Sequence, residues 1–217
     1  NASDLYLTQG FPPAIRVDDN LFNISSEKLD VKALNEILGM VLTNRQRREY
    51  ETSMELNTSL DMGKYGRFRL NVFQQKQSPG LVIRRVKTKI PSFEELKIPA
   101  LLKDLALTRR GLILVTGMTG SGKSTTLAAM LNYRNSAKPG HIVTIEDPIE
   151  YYHEHQKCVV TQREVGVDTE NYATALKNVL RQRPDVVLVG EARDREVMEQ
   201  ALATAETGHL CLSTLHK

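Results

Sequence analysis

The segment Gly117-Met-Thr-Gly-Ser-Gly-Lys-Ser124 follows the apolar run Leu112-Ile-Leu-Val115 and leads into Ser124-Thr-Thr-Leu-Ala-Ala-Met-Leu131. A strand, a glycine loop and a helix in that order are the context a phosphate-binding loop requires. The constraint reaches beyond the loop, because such a turn works at the carboxyl edge of an open parallel sheet, where the amino end of the next helix meets the ligand. Each residue type has its reason. Glycines let backbone N–H groups turn inward around phosphates, and the helix terminus adds a positive dipole. The Lys123 ammonium meets the β- and γ-phosphates, and the Ser124 hydroxyl is placed for Mg²⁺. Thr119, Gly120, Ser121, Gly122, Lys123, Ser124 and Thr125 are therefore the candidate nucleotide-binding residues, with ATP and Mg²⁺ as the expected cofactors. A glycine-rich turn with no ligand would need neither the fixed positions nor these flanks.

The 217 residues allow one large or two small domains, and 41% hydrophobic with 25% charged residues is the balance of a globular protein with real cores. No stretch approaches the ~20 apolar residues of a membrane span, and no signal-peptide layout opens the chain. The expected location is cytoplasmic, with membrane contact only through partners. A net charge of +3 is mild, and its basic residues are scattered among acids. That argues against nucleic acid as a partner and against a DNA-translocating motor. Cys158 and Cys211 lie far apart, which leaves no disulfide framework or zinc site and suggests buried, reduced thiols. A start at Asn1 and a stop at Lys217 suggest a piece of something longer.

The first half reads as mixed α+β. A hairpin is expected from Leu5-Tyr-Leu7 through the Gly10-Phe-Pro-Pro13 turn to Ala14–Val17, then a helix over Val31–Leu42 and a more polar one over Arg45–Met54. Strands Tyr65–Gln75 and Leu81–Val86 should flank a turn at Lys76-Gln-Ser-Pro-Gly80. Alternation along the first sends Phe68, Leu70 and Val72 to a core and Arg67, Arg69 and Asn71 to a basic face. The charged, proline-bearing stretch Lys87-Thr-Lys-Ile-Pro-Ser92 marks a boundary, so residues 1–88 are taken as one domain, 89–98 as a linker and 99–217 as a second. There, apolar strands at Leu112–Thr116, His141–Ile145, Val186–Val189 and Leu210–Leu215 alternate with helices at Gly122–Arg134, Glu170–Arg181 and Arg195–Thr207. This is the pattern of a parallel sheet covered on both faces.

Ligands of such a sheet gather at the carboxyl ends of its strands. Asp185-Val-Val-Leu-Val-Gly-Glu191 carries an acid at each end, about 20 Å apart at ~3.3 Å per residue. Only Glu191 is on the loop's side, so Glu191 takes the Mg²⁺-linked role and Asp185 a structural one. Ile145-Glu146-Asp147-Pro148-Ile149-Glu150 delivers further acids to that edge, and Glu146 is the candidate to activate water for attack on a γ-phosphate. His209 opens the last strand and His216 closes it. The latter position suits a group that senses phosphate.

Taken in order, Gly117–Ser124, Ile145–Glu150, Asp185–Glu191 and Thr207–His216 resemble the Walker A, Asp box, atypical Walker B and His box of the type II/IV secretion ATPase superfamily. The opening Ala2-Ser-Asp-Leu-Tyr-Leu7 with Gly10-Phe-Pro-Pro13 resembles its branch of PilT-like and PilU-like pilus retraction ATPases. Leu131-Asn-Tyr-Arg-Asn135, Gln162–Asp168 and Gly208-His-Leu-Cys211 lean to the PilU-like side. The resemblance covers essentially the whole chain. It implies an α/β fold with a RecA-like P-loop core preceded by a smaller α+β PAS-like domain, and a homo-oligomer, a hexameric ring, that hydrolyses ATP to drive pilus disassembly. The ring would act on an inner-membrane platform protein together with a related retraction ATPase, at the cytoplasmic face of that membrane. It also implies that Arg69 and Arg84 approach the phosphates from the first domain and that His209 and His216 serve the catalytic cycle. Met118, Tyr6 and Ala192 depart from common family residues without touching a phosphate-binding group. The rival readings are a pilus-extension or type II secretion ATPase, and a weakly hydrolysing assembly module.

Overall fold

The computed structural model describes residues 2–86 and 89–216, without the side chain of His216. Lys87 and Thr88, at the expected domain boundary, lie outside the described residues. The chain divides into two compact units, Asn1–Val86 and Lys87–Lys217.

In the first unit six strands form one antiparallel sheet: β1 (Asp4–Leu7), β2 (Ala14–Val17), β3 (Asn20–Asn23), β4 (Glu55–Asp61), β5 (Arg67–Gln75) and β6 (Ser78–Arg85), in the order β3-β2-β1-β6-β5-β4. The expected hairpin is present, with Asp4 opposite Arg16 and Tyr6 opposite Ala14. The turn between β5 and β6 is tighter than expected. Only Lys76 and Gln77 form it, at φ of 45° and 61°, and Ser78 already pairs with Gln75. Positive φ at both central residues gives a two-residue turn the twist its strands need. Two helices, α1 (Val31–Val41) and α2 (Asn44–Ser53), are each capped by a side chain, Asp30 for the first and Thr43 for the second. Their apolar faces bring Leu34, Leu38 and Tyr50 against Leu56, Leu70, Val72 and Leu81 of the sheet. Leu70 and Val72 are buried as the alternation requires, while Arg67, Arg69 and Asn71 are half-buried on the other face.

The second unit holds α3 (Phe93–Leu96), α4 (Leu101–Leu107), β7 (Gly111–Gly117), α5 (Lys123–Ala137), β8 (Gly140–Glu146), β9 (Cys158–Glu164), α6 (Tyr172–Val179), β10 (Val186–Val189), α7 (Arg195–Glu206) and β11 (Leu210–His216). Its sheet is parallel throughout, in the order β7-β11-β10-β8-β9. Period-two alternation divides each central strand between two cores. Ile142, Val186, Leu188, Leu210 and Leu212 face α3, α4 and α5, where they meet Phe93, Ala106, Leu127 and Leu131. Val143, Ile145, Val187, Val189 and Cys211 face α6 and α7, against Ala175, Leu176, Val197 and Ala201. Being buried on both faces, these strands are apolar at nearly every position. Every strand therefore points its carboxyl end the same way, and that edge carries the chemistry.

Candidate nucleotide-binding site

The loop after β7 is built by its glycines. Gly117, Gly120 and Gly122 have φ of 154°, 79° and 91°. A Cβ on Gly117 would sit 2.6 Å from Ser121 Oγ, so a side chain there would push into the loop's own interior. Helix α5 starts at Lys123 with Gly122 as N-cap and no side chain capping it, whereas α6 and α7 are capped by Asn171 and Asp194. Its first N–H groups keep the donors a bound phosphate would use. Lys123 is buried to 7% exposure, and its Nζ donates to the carbonyls of Gly117 at 2.9 Å and Met118 at 3.0 Å. The ammonium is thus held across the mouth of the loop. Ser124 is exposed in the first turn, and Thr125 Oγ1 lies 3.1 Å from the Tyr151 hydroxyl.

Strand register brings the other candidates to this edge. His216 pairs with Gly117 across β11 and β7, and Ile145 pairs with Val189 across β8 and β10, so the backbones of Glu146 and Gly190 lie side by side. A Cβ on Gly190 would lie 3.2 Å from Glu146 Cα, which explains why this contact takes glycine. Beyond it, Glu191 accepts from Arg193 Nε at 2.6 Å, and Arg193 Nη1 reaches Asp147 Oδ2 at 3.2 Å. One guanidinium therefore ties the loop after β10 to the loop after β8. The backbone of His216 is at this edge, and its side chain lies outside the described residues.

Glu146 is the last residue of β8 and is buried to 7% exposure. Its Oε1 accepts from Thr144 Oγ1 at 2.7 Å and, at 3.5 Å, from Gln162 Nε2; its Oε2 accepts from the Glu150 backbone N–H at 3.2 Å. Burial pushes its carboxyl up to about 7, against the pull of those hydrogen bonds. That value sits where a proton can be taken up or given at neutral pH. Sequence reasoning passed over two neighbours on β9. Gln162 braces Glu146 and also donates to the Tyr151 carbonyl at 2.9 Å, and Glu164, buried and paired in register with Glu146, accepts from the Ile149 N–H at 3.1 Å. The signal available was Gln162-Arg-Glu164 ending a strand-like run beside the acid-rich segment.

At the opposite edge of the sheet, Asp185 stands where its structural role was expected and His209 does not. Asp185 precedes β10, and its Oδ2 accepts from the His141 N–H at 2.8 Å at the amino edge of the sheet. His209 is a correction. It precedes β11 at that same amino edge, where its carbonyl accepts from the Gly111 N–H and its Nδ1 lies 3.1 Å from Thr207 Oγ1. A seven-residue strand separates it from the edge that carries the loop, so within this chain it is not part of the site. Arg69 and Arg84 belong to the first unit, directly opposite each other on β5 and β6. Arg84 Nε donates to the buried Asp4 at 2.7 Å.

Residues 14–217 match the family described as Type II/IV secretion system protein. The chain belongs to this family. Two relatives come from Pseudomonas aeruginosa. The Type IV pilus ATPase PilU is 51% identical over 99% of this chain and 56% of its own length. The Type IV pilus retractation ATPase PilT is 47% identical over 99% of this chain and 62% of its own length. The chain thus spans less than two thirds of each. Among solved structures, the pilus retraction motor PilT with bound ADP matches at a TM-score of 0.95 and 45% identity, covering 100% of this chain and 63% of that one. For this member of the type II/IV secretion family the expected α/β fold holds, a RecA-like core preceded by a smaller α+β unit.

Proposed function

We propose that this chain carries the ATP-hydrolysing site of a type IV pilus retraction motor. The observation that carries the reading is the delivery of the Gly117–Ser124 loop, Glu146, Glu191 and the His216 backbone to one edge of the sheet. The likeness to two pilus ATPases and to a retraction motor supports the direction of the work. A loop whose three glycines all hold positive φ, and a helix start left without a side-chain cap, fit a triphosphate.

In this reading the loop N–H groups and Lys123 hold the phosphates. Ser124 and Glu191 are the residues to hold Mg²⁺, which when bound neutralises charge on the β- and γ-phosphate oxygens. Glu146 takes the proton of a water whose oxygen bonds to the γ-phosphorus as the bond to the bridging oxygen of ADP breaks. Arg69, Arg84 and His216 sense the state of the γ-phosphate. One observation favours a second assignment within this scheme: Glu150 is exposed, whereas both Glu146 oxygens already accept hydrogen bonds. Glu150 then meets the water and Glu146 holds its loop. The motor reading further includes a homo-hexameric ring that works with a related ATPase on an inner-membrane platform, at the cytoplasmic face. In this reading membrane contact is made through partners; among the described residues no helix is long and apolar enough to cross a membrane.

The test is Mg²⁺-dependent ATP turnover by the protein with Lys123→Ala, Glu146→Ala or Glu150→Ala. Loss on the order of 100-fold is expected for Lys123→Ala and for the acid that meets the water. Undiminished turnover in Lys123→Ala would remove the site, and undiminished turnover in one acid variant assigns the role to the other.

A further inference from the structure

At the amino edge of the parallel sheet, opposite the glycine loop, lies a cavity of about 630 Å³. Four cations line it, Arg109, Arg134, Lys138 and Arg183, against a single carboxylate, Asp185. They come from the segments leading into β7, β8 and β10 and from the last turn of α5. Arg134 is 2% exposed, its Nη1 donates to the carbonyls of Ala106 and Thr108 at 2.9 Å each, and its Nε is buried with no hydrogen-bond partner. No carboxylate forms an ion pair with any of the four cations among the described residues. The one acid present is engaged, with Asp185 Oδ2 on the His141 N–H at 2.8 Å.

A guanidinium taken out of water without a counter-charge is costly, and an anion in the same cavity supplies that charge. Planar guanidinium forks match phosphate oxygens, and the volume is in the range of small-molecule sites. The site does not depend on hydrolysis at the glycine loop, which is at the other edge of the sheet. We infer that this cavity is a second anion site, which takes the phosphate chain of a di- or triphosphate through Arg109, Lys138 and Arg183 over the buried charge of Arg134.

Because the glycine loop also binds phosphate, the measurement uses the chain with Lys123→Ala, titrated with inorganic tripolyphosphate in a calorimeter. Saturable binding at one per chain is expected. Adding Arg109→Gln and Arg183→Gln, both exposed and outside any ion pair among the described residues, should weaken it on the order of tenfold or more and leave the thermal midpoint within a few degrees. Removing two exposed cations elsewhere, with Lys28→Gln and Lys32→Gln, should leave it unchanged. Competition by ATP as strong as by tripolyphosphate shows that the phosphate chain alone is read; a tenfold preference for ATP assigns the source to a nucleotide. Either supports the site. Absence of saturable binding, or equal weakening by both double substitutions, overturns it.

Discussion

Glu146 carries the most strained balance in the site: a carboxylate removed from water, held by a hydroxyl, a backbone N–H and a side-chain amide. Its ordinary value of 4.5 rises to about 7 because burial disfavours the charged form. Folding therefore prefers the protonated acid. The resulting stability is full below the unfolded pKa and is lost as pH climbs from about 4.5 through about 7, by about 3 kcal/mol at most. Urea unfolding of the wild type should show that decline across the interval, and Glu146→Gln should flatten it. An equal decline in both would mean the charge is not where burial puts it. At this scale the glycine loop was legible, because its chemistry is local and its positions are fixed. The braces Gln162 and Glu164 were not, since they act across strands whose adjacency no local pattern reveals. His209 shows another limit. Strand direction alone already put it at the amino edge, and the resemblance, not the residues, drew it into the catalytic group.

At the scale of elements, β8 and β10 approach so closely that Gly190 touches the Glu146 backbone. Gly190→Ala would place a methyl 3.2 Å from Glu146 Cα and 3.3 Å from the Ile145 carbonyl oxygen, and neither backbone atom can yield as a flexible side chain would. The prediction is ATP turnover reduced on the order of 100-fold with nucleotide affinity within a few fold, since a small misplacement of a reacting group costs that much while the glycine loop is untouched. Turnover kinetics alongside a binding titration separate the two. Equal loss of affinity would mean the strand pair supports the loop rather than the acid. Four of the sheet's strands, β7, β8, β10 and β11, and three helices of the second unit were readable because parallel strands covered on both faces are rich in apolar residues and helices show a stripe. Three strands were not. β3 is exposed along its length, β4 carries polar residues on its outer face, and β9 follows β8 without an intervening helix, which breaks the alternation that identified the others.

At the scale of the whole molecule, the scattered cations of the sequence matter more than their count suggests. Arg109, Arg183 and the neighbouring Arg134 and Lys138 come from three separate stretches of the chain, and only the fold gathers them around one cavity. The basic face of β5 has the converse history: alternation pointed to it, and register then put Arg84 of β6 opposite Arg69. The two arginines are not equivalent. Arg84 holds the buried Asp4, whose carboxyl is raised by burial but brought below its ordinary value by hydrogen bonds from Arg84 and Ser3. Arg84→Ala therefore removes a partner from a buried acid and should lower stability. Under the motor reading, Arg69→Ala should instead leave the thermal midpoint within a few degrees and cut turnover on the order of 10³-fold, as for an arginine that neutralises charge at the γ-phosphate. Unchanged turnover in folded Arg69→Ala protein would confine that arginine to its own sheet.

The central claim is that one edge of the parallel sheet holds a triphosphate among Lys123, Ser124, Glu146 and Glu191. A crystal structure of the chain with Mg²⁺ and a non-hydrolysable ATP analogue tests it most directly. The account predicts Lys123 Nζ moved from the Gly117 and Met118 carbonyls onto the phosphates, with Ser124 and Glu191 about the metal. An analogue bound elsewhere, or Lys123 still on those carbonyls with the phosphates away from the loop, would contradict it.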